Sequence, residues 1–301
     1  MISRKIDIEK LRKEIKAGNF LSVARALTLV ENNIQPAEDL LKSLDINSEI
    51  PVIGITGPPG AGKSTLVNAI IAEFSKKNKK VAVLAVDPTS PFNFGSLLGD
   101  RIRMTKHFNN EHVFIRSVAT RGSLGGMSAK TIEMTDVLRS ANFDLIIIET
   151  VGVGQSEIEV AGLADQTILV LVPEAGDEIQ HIKSGLMEVA QAFVVNKADR
   201  EGADVFANRL KKMVDEQHQE TPVFKTVADK QLGVDVLCEW IENIETNKSR
   251  MAKDYLFAEH AYRLIQTRRM FGVDKGELLK EISRSRLEDG FNLYGFIEKW
   301  I

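Results

Sequence analysis

The chain has 301 residues, of which 44% are hydrophobic and 27% charged, a composition typical of a globular protein with a buried core. Its formal net charge of −3 argues against a nucleic-acid-binding protein that works through bulk positive charge. The lone Cys238 excludes an internal disulfide framework and suits a reducing compartment. The N-terminus lacks the apolar core of a signal peptide, and no window approaches about 18 consecutive apolar residues, so we expect a cytoplasmic protein without a membrane span.

The first predicted elements are helices. Apolar residues recur at helical spacing within residues 4–44, and the runs are interrupted at Gly18-Asn19 and at Asn32-Asn33. We therefore predict a small helical subdomain over residues 1–47 that packs on the rest of the chain.

A glycine-rich motif follows the first predicted strand, residues 52–56. It has the pattern G-x-x-x-x-G-K-[ST] and consists of Gly57, Pro58, Pro59, Gly60, Ala61, Gly62, Lys63 and Ser64, with Thr65 opening a helical run. Glycines allow successive N–H groups to face one point, and the new helix adds the positive end of its dipole. The motif predicts that this loop binds nucleotide phosphates, with Lys63 at the terminal phosphates and the Ser64 hydroxyl on Mg²⁺.

Apolar runs alternate with helical patterns over residues 48–247, which predicts a domain of the α/β class with a mostly parallel central sheet and the P-loop NTPase fold. The predicted strands are residues 52–56, 81–86, 113–117, 145–149, 167–172, 192–196 and 223–226. Their near-continuous apolar character is typical of strands covered on both faces. Ligands of such sheets bind beyond the carboxyl ends of the strands.

Acidic residues stand at or after the ends of two predicted strands. Glu149 follows four apolar residues and is expected beside Lys63, where it would orient Mg²⁺ or a metal-bound water. Gly152 would allow its N–H group to approach the γ-phosphate. Asp87 and Asp100 follow the second strand in a segment that we predict to be a nucleotide-dependent switch, and either could reach the Mg²⁺ shell.

A second motif, Asn196-Lys197-Ala198-Asp199, directly follows the predicted strand 192–196. The Asp199 carboxylate can accept hydrogen bonds from the ring N–H and the exocyclic amine of guanine, a pair of donors that adenine lacks. Asn196 would tie this loop to the phosphate loop, and the Lys197 stem would lie over the base. The motif favours GTP over ATP. Backbone contacts to the guanine oxygen are predicted from three later residues, Thr226, Val227 and Ala228.

Residues 248–301 return to helical periodicity and end in a tail rich in large apolar side chains. Such a tail needs covering, either by the core of its own chain or by a second subunit. We expect a subunit contact.

With these motifs the chain resembles the methylmalonyl-CoA mutase-associated GTPases (MeaB/ArgK type, with MMAA as a relative) of the SIMIBI class of P-loop GTPases. The resemblance covers nearly the whole chain, and its most specific segments are residues 86–90, 98–104, 149–157 and 175–180. Glu149 stands where most GTPases have aspartate, which is a mark of this family. Phe94 departs from the pattern, because relatives often have glycine there.

The resemblance implies a GTP-hydrolysing chaperone that binds GTP or GDP with Mg²⁺, gates adenosylcobalamin loading and protects an adenosylcobalamin-dependent acyl-CoA mutase. It also implies a homodimer joined through a C-terminal helical arm. Family roles carry over to Asp87, Asp100 and Glu149 at the metal, to residues 176–188 as a further switch, and to Lys183 in partner-stimulated hydrolysis.

Several alternatives remain open at this point. One is an ATPase or kinase tied to basic amino-acid transport, and another is a metallochaperone GTPase that inserts nickel. A third is an interaction switch whose hydrolysis is incidental. Gln155 does not directly follow Gly152, where small signalling GTPases carry a water-positioning glutamine, so we predict slow basal turnover.

Overall fold

The computed structural model describes residues 6–87, 107, 110–119, 129–150, 163–176, 187, 190–216, 221–244, 258, 261–262, 264–266, 268–270, 272–286 and 291–300. Its strands are β1 Val52–Thr56, β2 Val81–Asp87, β3 Val113–Ala119, β4 Leu145–Thr150, β5 Gln166–Leu171, β6 Ala192–Asn196 and β7 Val223–Thr226. Its α-helices are α1 Ile8–Lys16, α2 Phe20–Glu31, α3 Ala37–Ser43, α4 Lys63–Lys76, α5 Ala129–Arg139, α6 Ala203–Glu216, α7 Val234–Glu242, α8 Lys275–Ser285 and α9 Leu293–Ile297. Two short 3-10 helices span Pro173–Gly176 and Ala228–Lys230.

The seven strands form one sheet in the order β3-β2-β4-β1-β5-β6-β7, and each neighbouring pair is parallel. The predicted α/β fold with a mostly parallel sheet is therefore confirmed. Strand β1 lies at the centre, between β4 and β5. The carboxyl ends of all strands meet at one edge, and the glycine-rich motif leaves β1 at that edge.

Apolar side chains cover both faces of the sheet. Successive residues of a strand point to opposite faces of the sheet. Val52 and Ile146 therefore pack with α1, α2, α3 and α5 on one face, whereas Ile53 and Ile147 pack with α4 and α7 on the other. A third cluster joins β5 and β6 to α6. Burial on both faces explains why the strands are near-continuous apolar runs in the sequence.

The chain divides into two compact units, residues 1–248 and 249–301. In the second unit, the Asp274 side chain caps α8 by accepting a hydrogen bond from the Glu277 N–H group at 2.8 Å. Helix α8 has no buried residue, although Leu279 is one of its apolar side chains. None of the helices within the described ranges is long and apolar enough to cross a membrane.

Candidate functional site

The glycine-rich loop after β1 depends on glycines with positive φ angles. Gly57, Gly60 and Gly62 have φ values of 141°, 78° and 85°. A Cβ atom would lie 2.1 Å from the Val170 carbonyl oxygen at Gly57, and 2.4 Å from the Asn196 amide nitrogen at Gly62. The loop can approach β5 and the end of β6 this closely only because these residues lack side chains.

Lys63 is the first residue of α4, and the residue is buried, with 6% of its surface exposed. The Lys63 ammonium donates hydrogen bonds to the carbonyl oxygens of Gly57, at 2.7 Å, and of Pro58, at 3.0 Å. The N-cap of the helix is Gly62, which has no side chain to cap the first N–H groups. A cation beside a helix N-terminus favours an anion at this point, as the phosphate prediction requires.

Two of the four predicted metal ligands lie side by side. Ser64 Oγ donates a hydrogen bond to Glu149 Oε1 over 2.6 Å, and Glu149 is buried. Glu149 reaches this position because β4 neighbours β1 and places Glu149 level with Ile55. Hydroxyl and carboxylate oxygens fit Mg²⁺, which usually takes its other ligands from waters and nucleotide phosphates. Within the described ranges, no three His, Cys, Asp or Glu side chains are grouped so that they could hold a metal ion.

The other predicted switch and metal residues are only partly placed. Asp87 is the last residue of β2, the strand next to β4, so its backbone lies at the same edge of the sheet. Its side chain is not described. Asp100, Gly152 and Lys183 lie outside the described residues, as do Phe94 and Gln155.

A buried hydrogen bond joins β1 to β4 at this edge. The Thr150 hydroxyl lies 3.2 Å from the Thr56 hydroxyl, and neither residue has exposed surface. Thr56 directly precedes the glycine-rich loop and Thr150 directly follows Glu149. The bond therefore fixes the start of the loop relative to the strand that carries Glu149.

Asn196, at the end of β6, connects three segments through one buried amide. Its Nδ2 group donates to the Ala61 carbonyl oxygen at 2.9 Å. Its Oδ1 atom accepts hydrogen bonds from the Thr226 hydroxyl at 3.1 Å and from the Ala228 N–H group at 3.3 Å. The side chain is 2% exposed, so these contacts satisfy a polar group that water does not reach.

Lys197 and Asp199 extend this loop outward. Lys197 has a positive φ of 56°, and its ammonium donates a hydrogen bond to the Gly60 carbonyl oxygen at 2.7 Å. Asp199 is exposed, and its Oδ2 atom accepts a hydrogen bond from the Lys230 ammonium at 2.7 Å. This contact lowers the pKa of the Asp199 carboxyl below its usual value, so the group stays an ionised acceptor.

A cavity of about 270 Å³ opens between the glycine-rich loop and the loop after β6. Its lining consists of Gly62, Thr65, Asn196, Lys197, Asp199, Arg200, Ala228 and Asp229. Among the three residues predicted to contact the guanine oxygen, Ala228 lines the cavity. Thr226 is buried against Asn196, and the Val227 N–H group donates to the Leu232 carbonyl oxygen at 3.0 Å.

Several residues at this site have no sequence signal. Lys230 is 31 positions from Asp199, and Glu174, which forms an ion pair with Arg200, is 26 positions from its partner. The Thr56 and Thr150 hydroxyls are 94 positions apart. Only the topology of the sheet brings these pairs together, so local patterns cannot predict them. Asp229 lies next to the predicted residues, but nothing in its type or spacing distinguishes it.

The phosphate loop after β1, the acid at the end of β4 and the N-K-A-D loop after β6 together define a P-loop GTPase. The chain belongs to the family described as methylmalonyl Co-A mutase-associated GTPase MeaB, whose family model matches residues 23–278. This is a GTPase family, and guanine nucleotide binding follows from membership.

Individual relatives agree with this membership. A Pyrococcus horikoshii protein named as a GTPase is 46% identical over 243 residues, which cover 78% of this chain and 77% of that protein. The mitochondrial methylmalonic aciduria type A homolog of Caenorhabditis elegans is 39% identical over 209 residues, covering 64% of this chain and 52% of that protein. The structure is also similar to the crystal structure of a LAO/AO transport system kinase, with a TM-score of 0.66 and 26% sequence identity. The match covers 95% of this chain and 89% of that chain.

Proposed function

We propose that the chain hydrolyses GTP to GDP and phosphate at this site, in a reaction that depends on Mg²⁺. The observation that carries the proposal is the Asn196 side chain. It holds Ala61 of the phosphate loop beside the loop with Asp199, next to the cavity of about 270 Å³. One side chain thus connects the proposed phosphate-binding loop to the loop that carries Asp199.

The proposed roles follow from the contacts. Water attacks the γ-phosphorus, the bond to the β-phosphate oxygen breaks, and the proton of the water is released to solvent. The loop N–H groups and the Lys63 ammonium would stabilise the charge that develops on the phosphate oxygens. To reach them, Lys63 exchanges its contacts with the Gly57 and Pro58 carbonyl oxygens for phosphate oxygens.

Ser64 and Glu149 would hold Mg²⁺, with Asp87 and Asp100 as the further proposed ligands. When bound, Mg²⁺ neutralises charge on the β- and γ-phosphate oxygens. Glu149 is buried and accepts a hydrogen bond from Ser64 Oγ over 2.6 Å, so the two oxygens are close enough for one ion to contact both. Gly152 would contribute its N–H group at the γ-phosphate.

Guanine recognition is assigned to Asp199, with the Lys197 stem over the base and with backbone contacts from residues 226–228. Asp199 and Ala228 both line the cavity, and this supports the assignment. A carboxylate pairs with the two donors of guanine, whereas adenine would leave it without a matching donor. This favours GTP over the ATP of a kinase.

We further propose that the protein is a chaperone of an adenosylcobalamin-dependent acyl-CoA mutase, with methylmalonyl-CoA mutase as the first candidate. It would gate adenosylcobalamin loading and protect the mutase. Support comes from the family description, which names a mutase-associated GTPase, and from the relative named for methylmalonic aciduria. Lys183 would take part in hydrolysis that the mutase stimulates, and the C-terminal arm would join two subunits in a homodimer.

The test is GTP turnover by the purified chain, measured alone and with methylmalonyl-CoA mutase or isobutyryl-CoA mutase. Slow basal hydrolysis that rises severalfold with one mutase is expected, since a partner would hold the switch residues in the arrangement that hydrolysis requires. Lys63→Ala should abolish both rates because it removes the charge at the phosphates. Fast basal hydrolysis that neither mutase changes would overturn the chaperone role, and preference for ATP in a competition assay would overturn the GTP assignment.

A further inference from the structure

Asp199 faces a cavity and also forms an ion pair with a lysine outside that cavity. One side of the residue lines the cavity, where the proposed function places the guanine base. On another side, Oδ2 accepts the hydrogen bond from Lys230 at 2.7 Å, and Lys230 is not among the residues that line the cavity. Lys230 therefore reaches the carboxylate from outside the space that a base would occupy.

A carboxylate reads guanine only in one orientation, because both of its hydrogen bonds must be in line with donors on one edge of the base. Two oxygens offer about four lone pairs, so one can go to Lys230 and leave enough for both guanine donors. A free aspartate side chain would have to lose its rotational freedom when the base binds. A side chain that is already paired loses less.

The backbone that carries Lys230 is itself fixed to the nucleotide site. Lys230 ends the 3-10 helix Ala228–Lys230, and the Ala228 N–H group donates to Asn196 Oδ1 at 3.3 Å. Val227 and Leu232, which flank this helix, exchange two backbone hydrogen bonds of 3.0 and 3.2 Å. Asp199, the other partner of the ion pair with Lys230, lies three residues after Asn196 in the chain. Both partners of the ion pair are therefore on segments that Asn196 connects.

We propose that Lys230 is a specificity-determining positioning residue, which holds the Asp199 carboxylate in the orientation that recognises the ring N–H and exocyclic amine of guanine together. The inference rests on the proposed function, because it requires that the cavity takes a guanine nucleotide. Lys230 does not touch the nucleotide and acts only through Asp199.

Lys225, within strand β7, provides a matched control. Its ammonium lies 2.7 Å from the Asp204 carboxylate, the same distance as in the Lys230–Asp199 pair. The two lysine side chains are similarly exposed, 53% for Lys225 and 57% for Lys230. Neither Lys225 nor Asp204 lines the cavity. Removing Lys225 therefore removes a surface ion pair of the same length, whose carboxylate, 79% exposed against 42% for Asp199, does not line the cavity.

The experiment measures dissociation constants of GDP and of inosine diphosphate, which keeps the ring N–H but lacks the exocyclic amine. We expect Lys230→Met to weaken GDP binding about threefold, within the range of one exposed ion pair. The inosine nucleotide makes a single hydrogen bond that tolerates rotation of the carboxylate, so its affinity should change little. The preference for GDP should therefore fall about threefold, whereas Lys225→Met keeps it. Lys230→Arg retains the charge and should restore most of the preference.

Two outcomes would overturn the inference, and they differ in what else they overturn. If the wild-type chain prefers GDP and Lys230→Met keeps that preference in full, Lys230 does not position Asp199, and guanine recognition stands. If the wild-type chain binds GDP, inosine diphosphate and ADP equally well, Asp199 does not read guanine, and the proposed function fails with the inference. Lys230→Gln, measured in parallel with a circular dichroism spectrum of each variant, provides the same comparison should the Met variant not fold.

Discussion

At the scale of single residues, the site depends on close approach of the backbone at glycines, and side chains then bond across the approach. Gly62 is the clearest case, because the Asn196 amide nitrogen that links the two loops would lie only 2.4 Å from a Cβ atom at this position. The Lys197 ammonium donates a hydrogen bond to the carbonyl oxygen of Gly60, two residues before Gly62. A change in the shape of the phosphate loop would therefore disturb the base-reading loop as well.

Alanine substitutions at Gly60 and Gly62 distinguish the cost of a strained backbone from the cost of a steric clash. Their φ values are 78° and 85°, but a Cβ atom meets nothing within 4 Å at Gly60 and lies 2.4 Å from Asn196 Nδ2 at Gly62. Gly60→Ala should lower the free energy of unfolding by about 1–2 kcal/mol, the cost of a left-handed backbone in an L-residue. Gly62→Ala should cost at least about 1 kcal/mol more, because Asn196 must move and its buried amide loses partners.

Urea unfolding of both variants measures the difference, and GDP affinity measured alongside should fall further for Gly62→Ala. Equal losses of stability and of affinity in the two variants would show that the contact with Asn196 does not matter.

At the scale of helices and strands, the sequence predicts most of what local pattern can determine. The strands at 52–56, 192–196 and 223–226 have the predicted bounds, and the first two are short apolar runs that end at a polar residue. Others differ by one or two residues: β3 ends at Ala119 rather than at residue 117, and β5 runs from Gln166 to Leu171 rather than from 167 to 172.

What the sequence leaves open depends on contacts between distant segments. The N-K-A-D motif predicts that Asn196 joins the two loops, and Asn196 does contact Ala61. Glu149 is predicted beside Lys63 because it follows an apolar strand. No local pattern predicts the strand order that brings it to Ser64, with β1 between β4 and β5, because the two residues are 85 positions apart. The ion pair of Asp199 with Lys230 has the same origin.

Helix α5 contains a carboxyl group that gives the protein a distinct pH dependence. Burial raises the pKa of Asp136 from 3.8 to about 6, against a partly compensating attraction from Arg139. The folded chain then binds more protons than the unfolded chain between about pH 4 and pH 6. The free energy of unfolding should therefore fall as the pH rises through this interval, by about 1–3 kcal/mol, and this contribution is constant above it.

Asp136→Asn removes the ionisable group, so the variant should be more stable than the wild type at pH 7.5 and equally stable near pH 4. Thermal unfolding from pH 4 to pH 8 measures this, with Asp215→Asn as a control on the exposed face of α6. A stability difference between Asp136→Asn and wild type that does not change with pH would exclude the assignment.

At the scale of the whole molecule, the second unit carries apolar side chains that its own described residues do not cover. Leu279 in α8 is 65% exposed and Tyr294 in α9 is 78% exposed, whereas Phe296 is buried beside Phe291, with ring centroids 6.0 Å apart. Large exposed apolar groups mark a surface that another chain covers where they form a contiguous patch. They support the proposed role of the arm in a homodimer.

Sedimentation of the double variant Leu279→Glu/Tyr294→Glu tests that role. The wild type should sediment at twice the chain mass of 33.4 kDa and the variant at the mass of one chain, because two buried charges would oppose association. Val205→Glu is the control, since Val205 is an equally exposed apolar residue, at 74%, in the first unit. A monomeric wild type, or an arm variant that stays dimeric, would contradict the prediction.

The central claim, that the cavity beside Asn196 takes a guanine nucleotide read by Asp199, has a direct test in Asp199→Asn. Xanthine presents a ring N–H donor and a carbonyl oxygen where guanine presents two donors, and an amide side chain matches that pair. Asp229→Asn is the control, because Asp229 is the other carboxylate that lines the cavity.

The measurement is the dissociation constant of GDP and of xanthosine diphosphate for wild type and both variants. We predict that the wild type and Asp229→Asn prefer GDP, and that Asp199→Asn prefers xanthosine diphosphate, a reversal of at least about 100-fold because a mismatched base leaves a polar group without its partner. A wild-type preference for GDP that survives in Asp199→Asn would contradict the assignment.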